Sequence, residues 1–320
     1  MTKLSTAVPI PDYPFAIGYQ QQILSLGSCF VEHIGHYLQE RKFSQILNPF
    51  GIVYHPSVMV RLLRQLAEDQ VPNPSELFEQ QGLWRHYDFH SRYAHPKLEK
   101  AAQLIKKQHQ AGATVIRQLD VLILTLGTAY GYQLVDSGQW VNNCHKQPTS
   151  LFEKRLAEVA EMSAALGKVL QGLKRVNPNL QVILTVSPVR HLRDGLLENQ
   201  RSKARLLLTQ EQLTNQLDFV HYFPAYEILL DELRDYRYYA NDLLHPSTLA
   251  IEIISERFAQ AFMSAETRAL SKEVYGIVQA LRHRPLHPES ENFRQFQEQT
   301  REKAAELRRQ YPFIKFSDEE

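Results

Sequence analysis

Five short apolar runs constrain this chain more than any other feature: "QILSL" (22–26), "SQILN" (44–48), "DVLILTL" (120–126), "LQVILTV" (180–186) and "DFVHYF" (218–223). They are too short for buried helices and rich in Leu, Ile and Val. Most lack the strict alternation of a half-solvated strand, which is how strands covered on both faces read. Between them lie segments of helical period at 29–41, 57–68, 97–110, 150–176, 198–216 and 247–264. Strand alternating with helix predicts a doubly wound α/β sandwich around a parallel sheet.

The chain has 320 residues, 43% hydrophobic and 22% charged, enough to bury one large core with additions and at most two domains. A net charge of +1 gives no bulk attraction to nucleic acid or to an anionic membrane. Two cysteines, Cys29 and Cys144, lie far apart, so neither a disulfide framework nor a cysteine-based zinc site is expected. The N-terminal "MTKLSTAVPIPDYPFAIGYQ" lacks an apolar stretch behind a basic start, and no run approaches bilayer length. A cytoplasmic location is the expectation.

Two regions stand outside the alternation. The stretch 72–112, with "GLWRHYDFHSRYAHP", is longer than a normal crossover and rich in aromatics and histidine; it reads as an insertion overhanging the site. From Glu266 the chain is helical and strongly charged, broken by "RPLHPES". A main domain over 1–265 and a C-terminal helical extension over 266–320 follow. The extension is compatible with a homodimer contact without requiring one.

The chemistry concentrates at "ILSLGSCFVEHIGH" (23–36). A strand ending in Gly27-Ser28, followed at once by an amphipathic helix, places Ser28 where ligands bind in open α/β sheets. The helix N-terminus favours an anion there. Ser is also a preferred helix cap, although the capping-box partner is missing because residue 31 is Val31. The "HIGH" of 33–36 resembles a nucleotidyl-transfer tetrapeptide, but its nearest basic companion is "RSKAR" (201–205), and two histidines on a helix face are the simpler reading. After the last strand, Asp242-x-x-His245-Pro246 puts a carboxylate within reach of an imidazole in a loop ahead of a helix. That is the base-plus-orienter half of a triad, or else a turn aspartate beside a surface histidine.

The runs "LGSCFVEHIG", "LNPFGIVYHP", "LTLGTAYGY", "NNCHKQP" and "FPAYEILLDELRDYRYYANDLLHPS" together resemble the GSCFA-domain family, over about residues 22–260. That family is similar to the SGNH (GDSL-type) hydrolases, which implies a flavodoxin-like αβα sandwich with a parallel five-stranded sheet. The resemblance implies Ser28 as nucleophile, Asp242 and His245 as its partners, and the N–H groups of Ser28 and Gly51 at the oxyanion. It also turns Cys29 into the core as a small apolar residue. The usual Gly-x-Asn after the third strand is replaced by Gly127-Thr128-Ala129, so the Asn donor is missing. Asn143 is the first substitute and Thr128 the second; losing one such donor costs about a hundred- to a thousandfold in rate.

Arg190, in "SPVRHLRD", lies on the same sheet edge, with His145 and Lys146 as further candidates to bind an anionic group of the substrate. Arg190 paired with Asp194 or Asp242 is the competing structural reading, and His90 is a candidate to overhang the site. The implied activity is hydrolysis of a small-molecule or carbohydrate acyl ester, or transfer of its acyl group, with no cofactor and no metal. A binding relative that keeps the fold without the chemistry is the alternative. Metal chemistry through His33, His36, His90 or His145 has no supporting ligand spacing.

Overall fold

A computed structural model describes residues 5–316; residues 1–4 of the N-terminal segment and 317–320 of the expected C-terminal extension lie outside the described residues. The five apolar runs become β1 (Ile23–Gly27), β2 (Gln45–Leu47), β3 (Val121–Leu126), β4 (Gln181–Val186) and β5 (Val220–Tyr222). They pair in parallel in the order β5-β4-β3-β1-β2. The expected doubly wound sandwich is what the chain adopts, with its switch point between β1 and β3.

Side chains alternate across a strand, so each apolar run feeds two cores. Leu24, Leu26, Leu122, Leu124, Val182 and Leu184 meet the face carrying α2 (Pro56–Ala67), α3 (Leu98–Ile116), α4 (Val159–Val176) and α5 (Leu196–Gln216). Ile23, Val121, Ile123 and Ile183 meet the other face, with α1 (Cys29–Glu40), α6 (Thr248–Phe262), α7 (Ala265–Arg282) and α8 (Glu291–Gln310). Double coverage explains why these strands carry no polar face.

The helices of the 266–320 extension pack on the sheet rather than projecting from it. Val274, Ile277, Ala304 and Leu307 share one buried cluster with Phe30 and Ile34 of α1 and with Phe258 of α6. Among the described residues no helix is long and apolar enough to cross a membrane.

Two stretches differ from the sequence reading. Residues 72–112 divide: a small antiparallel hairpin (Phe78–Gln80 with Leu83–Arg85) stands apart, whereas from Leu98 the chain is α3, whose Ala101 and Ile105 lie in the main core. Residues 150–176 are not one helix. Phe152–Leu156 is a strand pairing with Tyr130–Leu134, which also pairs with Trp140–Val141. "FEKRL" suits a helix locally, but cross-strand pairing with Tyr130 and Tyr132 overrides that preference.

Candidate active site

β1 ends on Gly27 at φ +154°, where an added Cβ would sit 2.5 Å from the Thr125 carbonyl oxygen. Only glycine lets β1 lie this close to β3 and still turn. Its N–H donates to Asn48 Oδ1 at 2.9 Å. Ser28 follows in extended geometry (φ −64°, ψ 171°) and is the N-cap of α1, its Oγ accepting from the Phe30 N–H at 3.4 Å. Its own N–H donates to the Thr125 carbonyl at 3.1 Å, and the residue is fully buried. Among the described residues no hydrogen bond joins Ser28 Oγ to His245.

Cys29, the first residue of α1, is partly exposed. Burial, and after it the Glu32 carboxylate, push its thiol above the ordinary range; the Lys203 ammonium and the N–H groups of Cys29 and Phe30 pull the other way. The result is a resting thiol rather than a thiolate. Among the described residues the Cys29 N–H donates to no carbonyl.

The Asp-x-x-His loop has the anticipated internal geometry. Asp242 Oδ1 accepts from the N–H groups of Leu244 (2.9 Å) and His245 (3.0 Å), while Oδ2 meets His245 Nδ1 at 2.6 Å. Leu243 takes a left-handed φ of 59° to make the turn. The backbone N–H groups first, then the imidazole, hold the Asp242 carboxyl down at about 2. Both side chains are open, 45% exposed for Asp242 and 44% for His245, and Nε2 is uncommitted among the described residues. Ser247, rather than Pro246, begins the helix as its cap, accepting from the Ala250 N–H at 3.3 Å.

The segment after β4 meets this loop, Arg190 N–H donating to the Leu244 carbonyl. His33 on α1 feels the charge of His245, and so does His191, which in turn feels Lys203. Burial is the main reason His191 is pushed down to about 3, and among the described residues its Nε2 has no hydrogen-bond partner. Lys203 was not foreseen. It is 1% exposed, and its Nζ donates to the carbonyls of Gly127 and Ser187, both at 2.7 Å, tying together the carboxyl ends of β3 and β4. Burial lowers its pKa to about 7. Its signal was present in the sequence: on the buried stripe Asn199, Ser202, Lys203, Leu206 and Leu213 of α5, it is the one cation.

Of the expected oxyanion donors, the N–H groups of Ser28 and Gly51 and the Thr128 hydroxyl make other hydrogen bonds. The Gly51 N–H donates to the Asn48 carbonyl at 2.8 Å, and Gly51 serves a turn (φ +81°) over which His90 packs. Thr128 Oγ1 pairs with Ser202 Oγ at 2.9 Å and accepts from the Tyr130 N–H. Asn143 uses Oδ1 to accept from the His145 N–H at 2.8 Å, and its own N–H is held by the Tyr87 carbonyl.

The three proposed anion binders are not brought together. His145 is buried between Ser91 Oγ and the His86 carbonyl, and burial lowers it to about 4. The Lys146 carbonyl accepts from Gln80, so both belong to the hairpin side. Arg190 instead braces the dyad loop: its N–H donates to the Leu244 carbonyl at 3.1 Å and its guanidinium lies 4.1 Å from the Tyr239 ring centre. Neither carboxylate weighed for Arg190 is its partner, since Asp194 pairs with Lys154 and Asp242 with His245. "HIGH" divides too: Gly35 packs on Leu47 and His36 is exposed beside Gln39. No group of three or more His, Cys, Asp or Glu among the described residues converges as metal ligands.

Next to His191 opens a cleft of about 200 Å³, lined by Tyr54, Thr128, Tyr130, Tyr132, Asn142 and Arg193 among others. The three-stranded sheet of residues 130–156 supplies part of its lining, including Tyr130, Tyr132 and Lys154. A wider groove of about 770 Å³ between the 5–9 and 231–238 segments contains none of the residues above.

Solved structures similar to the chain include three described proteins. One is from Streptococcus pneumonia, described as a candidate platelet activating factor (14% identity, 76% of this chain and 84% of that one, TM-score 0.39). Another is the acetyl xylan esterase Est2A of Butyrivibrio proteoclasticus (12%, 76% and 64%, 0.36). The third is a carbohydrate esterase family 2 enzyme with its carbohydrate binding domain from Corynascus thermopiles (13%, 80% and 68%, 0.38). No curated protein matches the chain. The GSCFA C-terminal domain model matches residues 274–320, which include the second half of α7 and all of α8. The GSCFA family model matches residues 22–258, from β1 through the Asp-x-x-His loop into α6, and the chain belongs to the GSCFA family.

Proposed function

We propose that this chain cleaves a small-molecule or carbohydrate acyl ester, passing the acyl group to water or to another hydroxyl. The observation that carries this reading is the Asp242–His245 pair, with Nδ1 held at 2.6 Å by a carboxylate that stays ionised and Nε2 left uncommitted. A histidine oriented this way serves as general base to a nucleophile and then as general acid to the leaving alkoxide. The loop carrying it lies at the carboxyl edge of the sheet, where His33 of α1 feels its charge, so the Gly27-Ser28-Cys29 turn at the head of that helix is the source of the nucleophile. Ser28 is the candidate read from the sequence. The cleft beside His191, with Tyr54, Tyr130 and Tyr132, offers flat aromatic faces for the alcohol or sugar portion.

The test is release of p-nitrophenolate from p-nitrophenyl acetate, followed by acetylated sugars. His245→Ala and Asp242→Asn are expected to lower kcat/KM by at least about a hundredfold with the fold intact by circular dichroism. A wild-type protein that binds acylated sugars saturably but releases no product is a binding relative, and the hydrolase reading fails.

A further inference from the structure

Resting on that reading of the site, the structure assigns the nucleophile to the thiol of Cys29 rather than to the hydroxyl of Ser28. Three observations separate these neighbours. The first is access: Ser28 is fully buried with its Oγ accepting from the Phe30 N–H, whereas Cys29 is partly exposed. The second is the backbone. In acyl transfer the nucleophilic residue commonly lends its own N–H to the oxyanion. The Ser28 N–H is spent on the Thr125 carbonyl at 3.1 Å, while among the described residues the Cys29 N–H has no carbonyl acceptor. The third is the surroundings. Lys203, whose Nζ ties together the carboxyl ends of β3 and β4, favours the Cys29 thiolate against burial and Glu32, and His191 feels both Lys203 and His245.

The same placement answers the missing Gly-x-Asn. With the nucleophile at Cys29, the N–H of Cys29 at the head of α1 is the donor available to the oxyanion, and the helix N-terminus adds its partial positive charge there. Lys203, whose Nζ donates to the Gly127 carbonyl, anchors the run that lacks the Asn. Gly51 is released from the oxyanion role its hydrogen bond forbids.

The step balances without a further reactant. Cys29 Sγ attacks the ester carbonyl carbon as its proton passes to His245 Nε2. The carbon–oxygen bond to the alcohol then breaks, and the departing alkoxide takes the proton from His245, leaving a thioester. Water, or an acceptor hydroxyl, gives its proton to Nε2 and attacks the thioester. The C–S bond breaks, the sulfur recovers the proton, and the acid or new ester leaves.

The experiment is a rapid acid quench of the full chain reacting with p-nitrophenyl acetate, with peptide mapping of the acetyl group. A thioester is cleaved by neutral hydroxylamine and an oxyester is not, which separates the adjacent residues. The expected result is a hydroxylamine-labile acetyl group on Cys29, absent in His245→Ala, and at least about a hundredfold slower release in Cys29→Ala. A hydroxylamine-stable acetyl group on Ser28, or release from Cys29→Ala at the wild-type rate, overturns the assignment and leaves the esterase reading standing. No release from the folded wild-type protein overturns both.

Discussion

Replacing Lys203 by methionine isolates the cost of burying a lysine beside the candidate site. Methionine keeps much of the apolar stem but leaves the carbonyls of Gly127 and Ser187, each 2.7 Å from Nζ, without their donor. Each unpaired buried acceptor costs about 1–3 kcal/mol. Against this, the wild-type protein holds an ammonium in a place that lowers its pKa from 10.5 to about 7. The sign follows from proton counting. Between these values the unfolded chain binds the Lys203 proton and the folded chain does not, so unfolding takes up a proton and rising pH favours the fold. The advantage of wild type over Lys203→Met therefore grows by about 1.4 kcal/mol for each pH unit between about pH 8 and 10, levels off above the unfolded value, and is smallest below about pH 7. Urea denaturation of both proteins across that range reads the difference directly, because other titrating groups largely cancel. A stability difference that stays flat with pH would refute the reasoning, and with it the picture of Lys203 as a desolvated cation at the ends of β3 and β4.

Two other perturbations follow from the same geometry. Gly51→Ala places a methyl group 2.3 Å from the His90 Cβ at a φ of +81°, so it should cost at least about 1–2 kcal/mol and loosen the 90–92 turn, seen as a lower Tm and faster amide exchange there. Acidification should destabilise the protein well above the range of its carboxylates. Burial keeps His55 (about 3), His145 (about 4) and His191 (about 3) neutral in the fold, while their unfolded forms charge below about 6.5. Stability is thus present above that value and falls as pH drops towards the folded values, by up to about 1.4 kcal/mol per pH unit for each histidine; denaturation midpoints unchanged from pH 7 to about 4.5 would contradict their neutral burial.

Much of the scaffold is legible in the residues because it depends on local pattern. Apolar runs such as 120–126 and 180–186 can be satisfied only by a strand covered on both faces, and they became β3 and β4 within a residue of the expected ends. The Asp242-x-x-His245 spacing was equally readable, since a three-residue turn brings the two side chains together without help from the rest of the fold. Where the outcome depended on distant partners, pattern failed. "FEKRL" has the local character of a helix and became a strand only because Tyr130–Leu134 was there to pair with it. The His145 ring is buried between Ser91 and the His86 carbonyl, and the Lys146 carbonyl meets Gln80 of the hairpin, contacts that the local sequence does not foretell.

The active-site turn shows the division most sharply. The order Gly27-Ser28-Cys29 after an apolar strand determined that a tight turn would cap α1 at the carboxyl edge of the sheet, because strand end, glycine and cap are consecutive in the chain. Which of the two residues is fully buried and which stays partly exposed was decided only in three dimensions. The Thr125 carbonyl on the adjacent strand claims the Ser28 N–H, and Lys203, from a helix more than 170 residues later, supplies the charge beside Cys29. Hydrogen-bond partners that compete for a backbone group, and charges that arrive from another layer, leave no local trace in the sequence; packing of the sheet assigns them.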